Sequence, residues 1–147
     1  MTGLPVSLAA DLEPCPEERR WLIDELWAER GVGILGGEPK LGKSWLALDV
    51  AVSVASGARC LRRFAVSRPG PVLLYAAEDA LHIVRQRLDA ITAAAGVDLV
   101  GLPLHVITAP SVRLDLEQDR ERLRATVAEL TPRLLVLDPF VRLHRRD

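Results

Sequence analysis

The chain has 147 residues, enough for one domain with a substantial buried core. Its 19 basic and 20 acidic residues nearly cancel, which excludes a protein-wide positive field for nucleic acids and leaves only local contacts. Apolar residues make up 49% of the chain and aromatic residues only 4%, so we predict an aliphatic core of the kind found where helices pack on a buried sheet.

The cysteines and the apolar runs indicate a reducing compartment and no membrane contact. Cys15 and Cys60 stand alone, without the paired spacing of a zinc site. No apolar run approaches the ~20 residues that span a bilayer, and the N-terminus lacks the pattern of a secretory signal. We therefore expect a cytoplasmic protein.

Residues 1–37 are predicted to contain a loose segment, a weakly patterned helix and a short buried strand. Residues 1–15 carry prolines and small residues without a period and are predicted to be a loose lead-in to a domain over residues 16–147. Residues 17–30 space their apolar side chains in a mostly helical but weak pattern. Residues 31–37, GVGILGG, have the length and glycine flanks of a buried strand.

Three helices are predicted after residue 43. Residues 44–56 are apolar almost all round, with Gly57 as a stop signal, and residues 81–95 repeat apolar side chains every 3 or 4 positions. Asp115 and Gln118 resemble a capping box that opens the third helix. The positions of the third helix that are predicted to face inward are Leu116, Leu123, Val127 and Leu130.

Short apolar runs predict three further strands, at residues 71–77, 104–108 and 134–138. Strands that alternate with helices pair in parallel through crossover connections. The predicted fold class is therefore α/β, with a mainly parallel sheet and flanking helices.

The loop between the first predicted strand and the first predicted helix matches a phosphate-binding motif. Residues 37–44 satisfy the spacing G-x-x-x-x-G-K-[ST]. Glycines let backbone N–H groups turn toward phosphate oxygens, and the following helix points its positive end at the same place. Lys43 could reach the β- and γ-phosphates, and the Ser44 hydroxyl could bind Mg²⁺. The candidate cofactor-binding residues are Gly37, Glu38, Pro39, Lys40, Leu41, Gly42, Lys43, Ser44 and Trp45.

Carboxylates after two predicted strands complete the candidate site. Asp138 ends the run LLVLD and is the candidate metal-binding partner of Ser44, although a strand-ending aspartate can simply begin a turn. Glu78 follows another strand, and parallel strands bring their C-terminal ends to one edge. Glu78 is therefore the candidate group that orients or deprotonates water, and with Lys43 it makes up the candidate catalytic pair. Asp79 is expected to cap the next helix.

Three segments follow one another as in a known family. GILGGEPKLGKSWLALDVAVSVASG, PGPVLLYAAEDA and LLVLDPFVRLH resemble RecA-like P-loop ATPases of the RepA and replicative-helicase type, often called AAA-family ATPases. The resemblance implies ATP, Mg²⁺, a homo-oligomer that is usually a hexameric ring, and single-stranded DNA as a candidate partner. By position it makes Lys43 and Ser44 the phosphate and metal residues, Glu78 the catalytic glutamate and Asp138 the strand-end aspartate. It leaves open whether Lys40 faces phosphate or solvent.

The chain departs from that family at its end. Relatives continue with further strands, a polar sensor and an arginine that reaches a neighbour's nucleotide, whereas this chain ends nine residues after Asp138. The resemblance therefore implies a truncated, incomplete sheet. The closing basic cluster is expected to be a solvated tail, with the beginning of a partner or DNA contact as the alternative; it consists of Arg142, His144, Arg145 and Arg146.

Two other functions stay open at this point. A nucleotide-binding module without turnover would fit a chain that lacks the sensor and the arginine. A P-loop small-molecule kinase would need a lid with arginines and an acceptor pocket, and no lid segment is evident between Gly57 and Gly96.

Overall fold

The computed structural model of the protein describes residues 3–143. Residues 3–20 are exposed and contain two short 3₁₀ turns, Ala9–Asp11 and Glu17–Arg19. The first paired strands are β1 (Trp21–Ile23) and β2 (Trp27–Ala28), which form a small antiparallel hairpin.

The hairpin shows that the weak helix predicted over residues 17–30 is wrong. Trp21 pairs with Ala28 and Ile23 with Trp27 across the hairpin, and the adjacent residues Leu22 and Ile23 are both buried although successive side chains of a strand point to opposite faces. The Leu26 N–H closes the turn by donating to the Ile23 carbonyl at 3.0 Å.

The buried strand predicted over residues 31–37 is also wrong. The segment is exposed and pairs with no strand of the described chain. Four of its seven residues are glycine, which weakens extended pairing. It lies against the hairpin instead, because a Cβ added at Gly33 would stand 2.5 Å from the Trp27 ring.

The main sheet has three parallel strands in the order β4-β3-β5. They are β3 (Val72–Ala76), β4 (Leu104–Val106) and β5 (Leu134–Asp138). The central strand pairs in register with both neighbours, so that Val72 lies beside Leu104 on one side and Leu134 on the other. The predicted parallel α/β class is confirmed, and β4 is shorter than the run of residues 104–108 that predicted it.

Three helices connect or flank these strands. The helix α1 (Lys43–Ser56) and the helix α2 (Leu81–Ala95) confirm two predictions. Each ends at a glycine in the left-handed region, Gly57 at φ 82° and Gly96 at φ 69°, a conformation that glycine adopts without the strain of a side chain. None of the described helices is long and apolar enough to cross a membrane.

The third helix, α3 (Glu117–Leu130), differs from its prediction. The Asp115–Gln118 capping box is wrong, because the helix has no side-chain cap and the Asp119 carboxylate instead accepts the Arg113 N–H at 2.8 Å. Its predicted inward positions are not buried: Leu116 is exposed, and the other three are only half-buried. α3 therefore contributes no fully buried side chain to the core of the described residues.

The core lies on both faces of β3, since successive side chains of a strand point to opposite sides. Leu74 packs with Leu48 of α1 and Val84 of α2. The next residue, Tyr75, packs on the other face with Val112, whose N–H donates to the tyrosine hydroxyl at 3.0 Å. Both faces of the strand are thus covered, which explains its continuous apolar sequence.

We predict a large difference in reactivity between the two thiols. Cys15 is exposed, whereas burial and then the nearby Asp49 carboxylate raise the pKa of the Cys60 thiol to about 12. At pH 8 only about one Cys60 thiol in 10⁴ is ionised, and the thiolate is the reactive form. An aromatic disulfide reagent should therefore modify one equivalent quickly, and Cys15→Ser should remove that fast phase. Two fast equivalents in the folded wild type would contradict the burial of Cys60.

Candidate nucleotide-binding site

The phosphate-loop motif lies in an exposed turn that leads directly into α1. Residues 36–42 are all exposed, and Lys40 and Gly42 take positive φ values of 64° and 84°. The Leu46 N–H donates to the Gly42 carbonyl at 3.0 Å, so the helix begins at the last loop residue. The first N–H groups of a helix have no partner within it and carry the positive end of its dipole. This end of α1 can therefore bind an anion within the loop.

Lys43 folds back over the loop. Its ammonium group donates to the carbonyl oxygens of Gly37 at 2.7 Å and Glu38 at 2.5 Å. The other lysine of the chain, Lys40, is exposed and has no hydrogen bond or ion pair with residues 3–143. The structure thus holds one cation inside the loop and leaves the other toward solvent.

A hydrogen bond between Ser44 and Asp138 joins the two candidate metal-binding residues. The Ser44 hydroxyl donates to the Asp138 carboxylate at 2.8 Å, and the pair is partly buried. The residues are 94 positions apart in sequence, the first in the opening turn of α1 and the second at the end of β5.

Glu78 lies at the same edge of the sheet. The N–H of the preceding residue, Ala77, donates to the Asp138 carbonyl at 2.7 Å. The Glu78 side chain is 58% exposed and faces Arg142, whose Nε is 3.5 Å from its carboxylate. An exposed ion pair of this length holds a side chain weakly, so the carboxylate remains able to reorient.

Trp45 and Asp79 both contact Arg87, a residue whose role could not be predicted from the sequence. The Asp79 carboxylate accepts a hydrogen bond from Arg87 at 2.6 Å, and the same guanidinium lies 5.7 Å from the Trp45 ring centre. The expected capping role of Asp79 is wrong, because α2 has no side-chain cap. No sequence spacing identifies this group, since it joins the start of one helix to the middle of another.

The oxygen atoms of Ser44 and Asp138 fit Mg²⁺. This ion takes few protein ligands and completes its octahedron with water and phosphate oxygens. Within residues 3–143 no group of three or more His, Cys, Asp or Glu side chains could hold a metal by itself. One hydroxyl and one carboxylate therefore suit an ion that arrives with a nucleotide. Of the basic tail, His144, Arg145 and Arg146 lie outside the described residues, and the predicted solvated tail remains a prediction.

Comparison with known protein families identifies the family of this chain. Residues 3–147 match the AAA domain family, and the chain belongs to that family. Membership makes it a nucleotide-binding, ATPase-like P-loop module, for which ATP is the usual ligand, commonly with Mg²⁺. Searches among curated proteins and among solved structures found no match.

The lysines of the chain are Lys40 in the loop and Lys43 at the start of α1, so labelling of lysine side chains should report on this site. We expect acetic anhydride to modify Lys40 faster than Lys43, because the Lys43 nitrogen donates to two carbonyl oxygens of the loop whereas the Lys40 side chain is exposed to the reagent. Mass spectrometry of each peptide gives the rates, with the N-terminal amine as internal reference. Equal rates at the two lysines would contradict the fold-back of Lys43.

A double-mutant cycle should detect the hydrogen bond between Ser44 and Asp138. Without nucleotide, Ser44→Ala and Asp138→Ala should show a coupling of about 1 kcal/mol in the free energy of unfolding measured with urea. Ser67 and Asp24 provide a matched control, because the Ser67 hydroxyl donates to the Asp24 carboxylate at 3.3 Å in an exposed hydrogen bond. That pair should couple by roughly 0.3 kcal/mol or less. Equal coupling in both cycles would contradict a special role for the partly buried pair.

Proposed function

We propose that the protein binds Mg-ATP through residues 37–45 and hydrolyses it to ADP and phosphate. The observation that carries this proposal is the Ser44–Asp138 hydrogen bond. It brings a hydroxyl at the start of α1 and a carboxylate at the end of β5 together beside the loop, over which Lys43 folds back. Family membership supports the nucleotide. The Ser44 hydroxyl and the Asp138 carboxylate lie together beside the loop, and oxygen ligands of this kind support Mg²⁺ as the metal.

Binding would use charge and backbone donors together. The N-terminal end of α1 offers N–H groups to the phosphates, and Lys43 would exchange its loop carbonyls for phosphate oxygens. Ser44 and Asp138 would hold Mg²⁺, which when bound offsets the negative charge of the phosphates. Trp45, whose side chain is 46% exposed, would lie beside the nucleotide with its ring steadied by Arg87.

Hydrolysis would depend on Glu78. Its carboxylate can accept a hydrogen bond from a water molecule and orient that water toward the γ-phosphorus. The oxygen–phosphorus bond to ADP breaks as the water oxygen bonds to phosphorus, and the carboxylate takes up the proton that the water loses. The weak contact with Arg142 leaves Glu78 free to turn toward this position.

The resemblance to RecA-like ATPases of the RepA type supports a finer proposal. We infer that the domain, over residues 16–147, works in the cytoplasm as a homo-oligomeric ring and couples ATP turnover to the remodelling of single-stranded DNA. A neighbouring subunit would then complete each nucleotide site. This part of the proposal has its own test, which is the dependence of turnover on protein concentration and on DNA.

Two variants separate binding from turnover. Lys43→Ala should weaken the binding of a fluorescent ATP analogue by about 10- to 100-fold, because a charged hydrogen-bond donor is lost. Glu78→Gln should bind normally but release phosphate about 10²- to 10⁴-fold more slowly, because the amide cannot accept a proton. Arg124→Ala and Glu129→Gln on the exposed face of α3 serve as matched controls.

Three results decide between the functions. Loss of binding in Lys43→Ala together with loss of turnover alone in Glu78→Gln supports the ATPase. Binding without phosphate release at every protein concentration identifies a module without turnover. Binding that is equally poor in wild type, Lys43→Ala and the controls overturns the proposal.

A further inference from the structure

A second concave site lies at the opposite end of the sheet from the phosphate loop. It has a volume of about 910 Å³, within the ~300–1,000 Å³ range of ligand pockets. One wall is Arg133, the residue before β5, whose N–H donates to the carbonyl of Pro71 just before β3 at 2.7 Å. The site therefore adjoins the amino ends of the strands, whereas Asp138 and Glu78 follow their carboxyl ends.

The lining of this pocket is strongly basic in a chain that is almost neutral overall. Two carboxylates, those of Glu13 and Glu29, face five guanidinium groups. The five are Arg19, Arg20, Arg30, Arg68 and Arg133. Because the whole chain has a formal charge of -1, this excess is local and marks a surface suited to an anion.

The pocket's own carboxylates leave much of this charge unmatched. Glu29 is shared by two arginines, at 2.5 Å from Arg133 and 3.5 Å from Arg68. Arg19 and Arg30 have no ion pair within residues 3–143. The Nε of Arg133 is buried and has no hydrogen-bond partner there. A ligand with several negative charges would pair with the exposed guanidinium groups of Arg19 and Arg30.

An aromatic ring lies among the arginines. Trp21, the first residue of β1, is half-buried and lines the pocket. Sites for single-stranded nucleic acids combine cationic side chains that follow the phosphates with aromatic rings on which bases stack. Arginine suits such sites because its planar group pairs with phosphate in a bidentate manner and also stacks on bases. An acidic peptide would use the charges but not the ring.

We propose that this arginine pocket binds single-stranded nucleic acid, with a base on Trp21 and the flanking phosphates on Arg19 and Arg30. The choice of a nucleic-acid strand as the ligand rests on the proposed coupling of ATP turnover to single-stranded DNA. The pocket would bind that strand at the end of the sheet opposite to the nucleotide site. The ATP site and the DNA site would then occupy the two ends of one sheet.

The test measures binding of a labelled oligothymidylate, longer than the ~16 nucleotides that a compact domain covers, by fluorescence anisotropy without ATP. The double variant Arg19→Ala/Arg30→Ala should weaken binding about tenfold or more. Its slope of log K against log salt should be shallower by about 1.4, because each lost phosphate contact on a single strand contributes ~0.7. Arg122→Ala/Arg124→Ala on α3 removes the same charge and should change binding by about twofold or less.

Two further measurements examine the pocket directly. The oligonucleotide should quench tryptophan fluorescence, and Trp21→Phe should remove most of that quenching. Cys15 also lines the pocket, so the oligonucleotide should slow its alkylation by N-ethylmaleimide. Circular dichroism shows that each variant is folded.

The results distinguish this proposal from the nucleotide site. Lys43→Ala should bind the oligonucleotide as wild type does, so failure to bind ATP leaves the DNA result intact. No binding by wild type overturns the proposal, and so does equal binding by wild type and Arg19→Ala/Arg30→Ala. Equal competition by thymidine monophosphate at the same phosphate concentration would identify a free nucleotide as the ligand. Equal competition by polyglutamate at the same charge concentration would identify a general polyanion surface, and either result overturns the proposal.

Discussion

The hydrogen bond from Ser44 to Asp138 is the contact on which the geometry of the nucleotide site depends. It joins the first turn of α1 to the last residue of β5, and no other side-chain hydrogen bond within residues 3–143 links these two ends. The loop of residues 36–42 is exposed throughout and has no strand beside it in the described chain. Its position relative to the sheet is therefore set mainly by the helix that follows it, and that helix is held at its start by this bond.

Packing explains how a single hydrogen bond can have this effect. Farther along α1, Leu48 and Val52 lie in the core with Leu74 of β3. Burial of such side chains contributes about 1.5–3 kcal/mol each and fixes the helix against the sheet. This packing sets the distance of α1 from the sheet. The hydrogen bond from Ser44 to Asp138 then holds the first turn of α1 beside the end of β5.

The sequence predicted the parts of the fold whose residues carry a repeating pattern. The clearest case is α2, where Val84, Leu88 and Ile91 are buried as their spacing predicts. The helix over residues 17–30 and the strand over residues 31–37 failed for a common reason. In both, the spacing of apolar side chains does not record how the backbone pairs: residues 17–30 pair with themselves as a hairpin, and residues 31–37 pair with no strand within residues 3–143.

The candidate site also contains residues that the sequence predicts and contacts that it does not. The motif and the two strand-end carboxylates could be found from sequence, because the chemistry requires these residue types beside apolar runs. The contact of Arg87 with Asp79 and Trp45 could not, since side chains on separate elements meet only after folding. The arginine pocket is even less predictable from the sequence, because its lining comes from segments as distant as residues 13–30 and Arg133.

β5 reaches from one end of the main sheet to the other. Arg133 immediately precedes β5 and Asp138 ends it, five residues and roughly 17 Å apart in an extended chain. A β-strand resists stretching, and its pairing with β3 resists sliding because a slip of one residue would turn every side chain to the opposite face. β5 therefore holds Arg133 and Asp138 at a nearly constant separation. A displacement of the paired β3 and β5 along their axis would move both residues together, so the two ends of the sheet would shift in the same direction.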